Sequence, residues 1–180
     1  MSFIRNSIQG SNLVSVSVPY TLTRLESYAF AHTKLKDITL PTEISSIGNF
    51  AFLNTSLETI FIYATAIGIR GFNQNYYLQN VVLSEGLDTI RSTMFTEDYC
   101  LTNIIIPSTV TSIQYNAFEK CAAMKEYHFK STTPPSLASA KTLKVPEDCI
   151  IYVPQGCAEA YKVATNWATY ADKIMEETTV

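Results

Sequence analysis

The sequence predicts an α+β repeat solenoid, in which similar units stack side by side and share one parallel β-sheet. The phrase TLPTEISSIGNFAF at 39–52 returns, nearly unchanged, as IIPSTVTSIQYNAF at 105–118. The leucine or methionine that begins each unit recurs at intervals of 22, 22, 21, 23 and 23 residues, at Leu13, Leu35, Leu57, Leu78, Leu101 and Met124. A period in the low twenties is typical of stacked repeats.

Each unit should begin with a short strand that has one buried face. The pattern L-x-x-I-x-I-P alternates β-branched and polar residues, which suits a pleated strand, and proline ends it. The predicted buried pairs are Val16 and Val18, Ile38 and Leu40, Ile60 and Ile62, Val81 and Leu83, Ile104 and Ile106, and Tyr127 and Phe129. This arrangement predicts a right-handed leucine-rich-repeat stack over residues 13–130.

The rest of each unit should supply the other wall of the core. An apolar pair follows nine and twelve residues after the leucine, and an aromatic residue follows at seventeen. The predicted pairs are Leu22 and Leu25, Ile44 and Ile47, Ala66 and Ile69, Leu87 and Ile90, and Val110 and Ile113, and the predicted aromatic residues are Phe30, Phe52, Phe95 and Phe118. Only the third unit departs from this pattern, since its Phe72 comes two residues early.

The two ends should differ from the repeats. Residues 1–12 are either a partial repeat or an N-terminal cap, because Phe3 and Ile8 fall at the positions of Leu25 and Phe30. We favour a fragment of a longer repeat protein.

At the other end, residues 131–180 form a predicted C-terminal cap. The segment KSTTPPSL interrupts the repeat, and CIIYVPQG predicts a strand at 149–153. Apolar residues three and four apart then predict one helix from 156 to about 176, with Trp167 covering the end of the core.

The repeated motifs carry a resemblance. The units LP-x-x-I-x-x-I-x-x-x-A-F and IP-x-x-V-x-x-I-x-x-x-A-F, the F-x-x-C of Phe118 to Cys121, and the closing IYVPQG…AYKVATNWATYADKI resemble the BspA-like leucine-rich-repeat family. The resemblance covers essentially the whole chain, apart from the irregular YATAIGIRGFNQNYY. It implies a cell-surface or secreted location, commonly in gut and oral bacteria, and attachment to host proteins. It implies no catalytic activity and no fixed set of functional residues.

Composition and charge exclude several function classes. The net charge is −3 and no run of Lys or Arg exceeds one residue, so the chain offers no basic surface for nucleic acid. No apolar stretch approaches the roughly 18 residues of a membrane span, and we expect no membrane insertion. The opening MSFIRNSIQG lacks the apolar core of a secretory signal peptide.

No residues have the spacing of a catalytic, cofactor or metal site. His32 and His128 lie in distant units, and none of the common catalytic motifs occurs. We therefore expect neither enzymatic activity nor a cofactor. The four cysteines lack a C-x-x-C spacing. Either they form the disulfides Cys100–Cys121 and Cys149–Cys157, or, as we favour, they are free thiols packed in the turns.

The candidate binding site is the outward face of the sheet, at positions two and four after each leucine. Ser17 and Thr39 are polar, but the next three residues in that row are apolar, namely Phe61, Val82 and Ile105. The rim is predicted to consist of Tyr63, Asn80 and Asn103. Contiguous exposed apolar surface often marks a contact with a partner. The alternative is that these residues only stabilise the sheet through cross-strand pairs.

Two function classes remain open. The first is a protein-binding module whose partner is a host matrix or surface protein, or a second copy of the chain. The second is a structural spacer or capping segment of a longer repeat protein, with no ligand of its own. An open apolar row favours the first, whereas a row covered by the chain itself or by further N-terminal repeats favours the second.

Overall fold

The computed structural model describes residues 2–4 and 8–178, with only the backbone described for residues 2–4. In chain order, its elements are β1 (Ser2–Ile4), β2 (Leu22–Leu25), β3 (Ser46–Ile47), β4 (Thr59–Ile62), β5 (Ala66–Ile67), β6 (Asn80–Leu83), β7 (Thr89–Ile90), β8 (Asn103–Ile106), β9 (Ser112–Ile113), β10 (Glu126–Phe129), β11 (Ser136–Leu137), β12 (Ile150–Val153), α1 (Ala158–Val163), a 3-10 helix (Ala168–Lys173) and β13 (Ile174–Glu176).

A six-stranded parallel sheet forms one wall of the solenoid, in the order β13-β12-β10-β8-β6-β4. The predicted parallel repeat stack is therefore confirmed. The strands expected around Val16 and Ile38 are wrong, because only isolated backbone bonds join those units, such as Lys36 N to Val14 O (3.1 Å). Of their outward residues Ser15, Ser17, Asp37 and Thr39, only Thr39 has a β-branched side chain of the kind that stabilises cross-strand pairs.

A second wall consists of shorter strands that form two separate parallel sheets, β1-β2-β3-β5 and β7-β9-β11. The break falls at the irregular third unit. The predicted pair Ala66 and Ile69 is wrong, since both side chains are exposed and Ile67 is buried in their place. Ile67 pairs with Ile47 because two residues are missing before it, which also explains the early Phe72.

The N-terminal strand is one residue out of the predicted register. The backbone of β1 pairs Ile4, not Phe3, with Leu25. Ile8 is half-buried and packs against the core. Residues 1 and 5–7 of the predicted partial repeat or N-terminal cap lie outside the described residues, so the two alternatives for this segment stay predictions.

A column of phenylalanines fills the core between the two walls and the turns. Phe30, Phe52, Phe72, Phe95 and Phe118 are all fully buried. Their rings stack in sequence with centroid distances of 5.4, 5.1, 5.8 and 5.4 Å. Because each ring contacts the ring of the next unit, the aromatic core is continuous along the stack.

The turns around these phenylalanines form a hydrogen-bonded ladder of their own. Residues two before and two after each ring have left-handed backbone conformations, and none of them is glycine: Tyr28, His32, Phe50, Asn54, Arg70, Gln74, Thr93, Glu97, Asn116 and Lys120. Such conformations cost on the order of 1–3 kcal/mol each. They let alternate N–H groups donate to the next unit, as from Phe95 to Ala117 O (2.8 Å) and from Glu97 to Glu119 O (2.9 Å).

The C-terminal cap covers the end of the core, but not with one long helix as predicted. α1 ends at Val163, and Asn166 has a left-handed φ of 67° that separates α1 from the 3-10 helix. Residues 174–176 then add a strand to the main sheet instead of continuing a helix. Trp167 is fully buried as expected, packs edge-on against Phe129 at 4.9 Å, and donates from Nε1 to Pro135 O (2.7 Å).

Replacing Phe95 by alanine should destabilise the whole stack. The ring contacts phenylalanines on both sides, and removing a buried phenylalanine typically costs about 3–5 kcal/mol. Denaturant unfolding should show this loss, whereas Tyr115→Ala, at an exposed aromatic residue, should leave the unfolding free energy nearly unchanged. Equal effects of the two substitutions would contradict the central role of the column.

Removal of residues 155–180 should expose Phe129 and the free edge of β12. The truncated chain should aggregate or lose cooperative melting, which light scattering and thermal circular dichroism would detect. A truncated chain that stays monomeric with an unchanged melting temperature would show that the cap is not needed to protect the core.

Candidate binding surface

The outward face of the main sheet carries a row of apolar side chains on neighbouring strands. Phe61 lies opposite Val82, and Val82 lies opposite Ile105. The exposed fraction is 54% for Phe61 and 38% for Ile105, while Val82 is half-buried between them. The alternation of each strand places these side chains away from the core, because their neighbours Ile60, Val81 and Ile104 are buried.

The predicted rim residues lie beside this row. Asn80 and Asn103 are opposite each other, and Asn103 Nδ2 donates to Asn80 Oδ1 (3.4 Å) and Thr102 Oγ1 (3.2 Å). Tyr63 follows β4 and is 36% exposed. The structure thus places all six predicted site residues on one face, with amides along one side of the apolar row.

The row extends further than the sequence predicted. Ile105 lies opposite His128, His128 opposite Tyr152, and Tyr152 opposite Met175. Met175 is 53% exposed. In the strand sequence IIYV, the alternation of inward and outward positions is the signal that places Tyr152 on this face. Met175 had no such signal, because the spacing of its neighbours indicated a helix.

A charged cluster occupies this C-terminal end of the face. His128 Nε2 lies 3.0 Å from Glu126 Oε2, and its Nδ1 lies 3.2 Å from Glu177 Oε1. Lys130 Nζ contacts both Glu177 oxygens at 2.7 and 2.8 Å, and this hydrogen bond lowers the pKa of Glu177. The face therefore changes from apolar at Phe61 to charged at Lys130.

The described residues contain no group of side chains arranged as a metal site. Among them, no three His, Cys, Asp or Glu side chains could hold a metal ion. His32 Nδ1 contacts the side-chain amide of Asn54 (3.1 Å), far in the stack from His128. None of the helices in residues 8–178 has the length and apolar character needed to span a bilayer.

All four cysteines are free thiols, so the two disulfides weighed above do not form. Cys121 Sγ donates to Phe95 O (3.0 Å) within the core. Burial raises the pKa of Cys149 to about 12, which makes its thiol a poor nucleophile. Cys121 and Cys149 are buried and pack as small residues of the core, whereas Cys157 is half-buried and Cys100 is exposed.

Comparison with known protein families identifies the repeat. The family described as the BspA type leucine rich repeat region matches residues 3–125 with six copies of its unit, which is more than half of the 180 residues. The chain belongs to this family. A search of curated proteins by sequence finds no match.

Solved structures share the fold of this BspA-type chain. A leucine-rich repeat protein from Bacteroides ovatus superposes with a TM-score of 0.71 and 18% identity, over 86% of this chain and 49% of that one. One from Eubacterium ventriosum has a TM-score of 0.59 and 20% identity, over 74% and 39%. The pneumococcal vaccine antigen PcpA has a TM-score of 0.51 and 18% identity, over 88% and 36%. The chain thus spans less than half the length of each.

The BspA-type units share a buried position three residues after each phenylalanine, which is polar at Thr33, Thr55, Asn75 and Asp98 and is Cys121 in the last turn. Asn75 Oδ1 accepts from Thr55 N (2.9 Å), Asn75 Nδ2 donates to Phe52 O (3.0 Å), and Asn75 N donates to Asp98 Oδ1 (2.8 Å). The other oxygen of Asp98 is buried and has no hydrogen-bond partner among the described residues. Burial therefore raises the pKa of Asp98 well above its ordinary value.

Asp98 should make the folded protein less stable as the pH rises. Its pKa is higher in the folded than in the unfolded chain, so its stabilising contribution is fully present below the ordinary carboxyl pKa. That contribution is lost upward from about pH 4, by up to about 1.4 kcal/mol per pH unit, until the folded-state pKa is passed.

Asp98→Asn should remove this pH dependence and raise the unfolding free energy at neutral pH, because an asparagine already fits the equivalent position at Asn75. Urea unfolding between about pH 4 and pH 8 measures both effects. The control is Asp37→Asn, at an exposed carboxylate. If the unfolding free energies of wild type and Asp98→Asn change with pH in the same way, folding does not raise the pKa of Asp98.

Proposed function

We propose that this chain is a non-catalytic protein-binding module that uses the outward face of its main sheet. The observation that carries the proposal is the open apolar row of Phe61, Val82 and Ile105. No described part of the chain covers it, since Phe61 remains 54% exposed. An uncovered apolar row with polar residues at its rim is the usual composition of a protein contact surface.

Sheet stability alone accounts poorly for this row. Cross-strand pairs of apolar residues contribute about 0.2–1 kcal/mol each, and β-branched polar residues supply much of the same benefit. Thr39 occupies the equivalent position one unit earlier. Phenylalanine and isoleucine instead leave apolar surface in water, where a partner could bury it at a gain of about 25 cal/mol per Å².

The chemistry of the face fits a protein partner. Phe61 and Tyr63 are large, rigid aromatic residues of the kind that dominate binding energy at protein interfaces. The amides of Asn80 and Asn103 can donate and accept hydrogen bonds at the rim. Family membership supports display at the cell surface or secretion, with a host matrix or surface protein as partner. Self-association through the same face would use the same residues.

The experiment compares the triple variant Phe61→Thr, Val82→Thr and Ile105→Thr with wild type. Binding to a panel of immobilised host matrix proteins, and self-association by sedimentation, should both be measured. For a partner that binds wild type, we expect an affinity loss of about a hundredfold or more, because removing each of three central apolar anchors costs about 1–2 kcal/mol or more. The unfolding free energy should fall by no more than about 3 kcal/mol in total.

A matched control removes exposed aromatic surface elsewhere, in Tyr20→Thr with Tyr115→Thr, at residues that are 83% and 60% exposed. This control should bind like wild type. If the triple variant keeps wild-type binding and association, the apolar row has no binding role and the chain is a structural spacer of a longer repeat protein. If the variant no longer folds, the three residues belong to the core.

A further inference from the structure

We propose that a cleft between the last repeat turn and the C-terminal cap binds an acidic peptide segment of a partner. The cleft has a volume of about 700 Å³. Its lining includes Asn116, Lys120, Lys141, Lys144, Tyr170 and Lys173. The turns and the cap form it, so it is a different site from the sheet face described above.

The first argument is the direction of the backbone hydrogen bonds. Beside the strands, N–H groups donate to the unit before, as from Lys125 N to Thr102 O (2.8 Å). The turns donate the opposite way, to the unit after, as from Glu97 N to Glu119 O (2.9 Å). At the C-terminal end of the stack, the last turn therefore presents N–H donors.

The last turn, around Phe118, has no following turn to accept these bonds. The N–H groups of Asn116, Phe118 and Lys120 have no hydrogen-bond partner among the described residues, although the equivalent groups of Thr93, Phe95 and Glu97 all have one. Phe118 is fully buried, whereas Asn116 and Lys120 are exposed and line the cleft. Both have left-handed backbones. Unpaired N–H groups of this kind can donate to the oxygen atoms of a ligand.

The second argument is charge. Four lysines line the cleft against two carboxylates, Glu119 and Asp172, although the whole chain has a net charge of −3. Lys120 is paired with Glu97 (2.7 Å), and Lys173 donates to Glu147 O. Lys141 and Lys144 are exposed and have no ion pair within residues 8–178. These two ammonium groups are free to pair with carboxylates of a ligand.

The cleft wall is held in place by the cap. The Tyr170 hydroxyl donates to Ala140 O (2.9 Å) and accepts from Leu143 N (3.2 Å), which fastens the segment carrying Lys141 to the 3-10 helix. A wall fixed before binding reduces the entropy lost when a ligand is ordered.

A peptide fits this site better than a small anion. In the earlier turns, the equivalent N–H groups donate to carbonyl oxygens of the following turn, with the exception of Arg70 N. An added peptide can supply backbone oxygens to Asn116 and Lys120 while its acidic side chains reach Lys141 and Lys144. A volume of about 700 Å³ also exceeds what a single inorganic anion would fill.

The test uses a fluorescein-labelled hexaglutamate peptide and a hexaglutamine peptide of equal length. Anisotropy titrations should show that the full chain binds hexaglutamate and not hexaglutamine, with affinity falling as salt rises from about 0.05 M to about 0.5 M. Lys141→Glu with Lys144→Glu should weaken binding about tenfold or more. The matched control is Lys34→Glu with Lys36→Glu, at exposed lysines outside the cleft, and it should bind like wild type.

A second readout addresses the backbone donors. In a ¹⁵N-edited NMR titration, the amide signals of Asn116 and Lys120 should shift on adding hexaglutamate, while those of Tyr28 and His32 should not. The triple sheet-face variant should retain peptide binding, so failure of this site and failure of the sheet face are distinguishable. If the charge-reversal variant does not fold, Lys141→Gln with Lys144→Gln replaces it.

Several outcomes would overturn the proposal. These are no binding of hexaglutamate, equal losses in the cleft and control variants, or no shift of the Asn116 and Lys120 amides. Binding of a sulfated oligosaccharide or inorganic phosphate at the same residues without binding of hexaglutamate would assign the cleft to another anion and equally reject a peptide ligand.

Discussion

The hydrogen bond between neighbouring units is the interaction on which the rest of this structure depends. N–H groups beside the strands donate to the unit before, as from Thr102 to Gln79 O (3.0 Å), and turn N–H groups donate to the unit after, as from Phe95 to Ala117 O (2.8 Å). A unit alone would leave both sets without partners, and buried backbone groups without hydrogen bonds are costly. The stack is therefore stable only as a whole, and its ends need special treatment.

The same constraint explains conformations that would otherwise be unfavourable. Gly48 lies so close to the preceding unit that a β-carbon there would be 2.5 Å from Ser27 N. Non-glycine residues such as Thr93 and Glu97 accept left-handed backbones, because that geometry directs alternate N–H groups at the next turn. Local strain is offset by bonds between units, so neither feature can be understood from one repeat alone.

The sequence predicts those parts of the fold that repeat at a fixed position in each unit. Fixed offsets identified the phenylalanine column and the outward row at Phe61, because one side-chain position repeats once per unit. Counting from Leu57 selected Ile69 over Ile67, because the two missing residues lie inside the unit. The strand that holds Met175 was missed, since the spacing of residues 156–176 matches a helix and only pairing with β12 makes its end extended. The left-handed turns carry no glycine signal.

At the C-terminal end, the cap provides hydrogen-bond partners for the strands of the stack but not for its last turn. β12 and β13 continue the main sheet for two more strands, so the strand ladder is extended beyond the last repeat. The turn ladder has no such extension, because the chain after Leu137 bends toward Tyr170 instead of following the path of Asn116 and Lys120.

Residues that bind a partner can occupy positions that the packing of the stack does not constrain. Outward positions such as Phe61 and Ile105 form no part of the core, so their side chains are free to suit a partner. The last turn differs from these outward positions. Its N–H donors, at Asn116 and Lys120, have the same backbone geometry as in every repeat, but the cap does not provide acceptors for them. A solenoid of this kind therefore has two distinct routes to a binding surface, side chains that the stack does not need and backbone groups that it leaves unpaired.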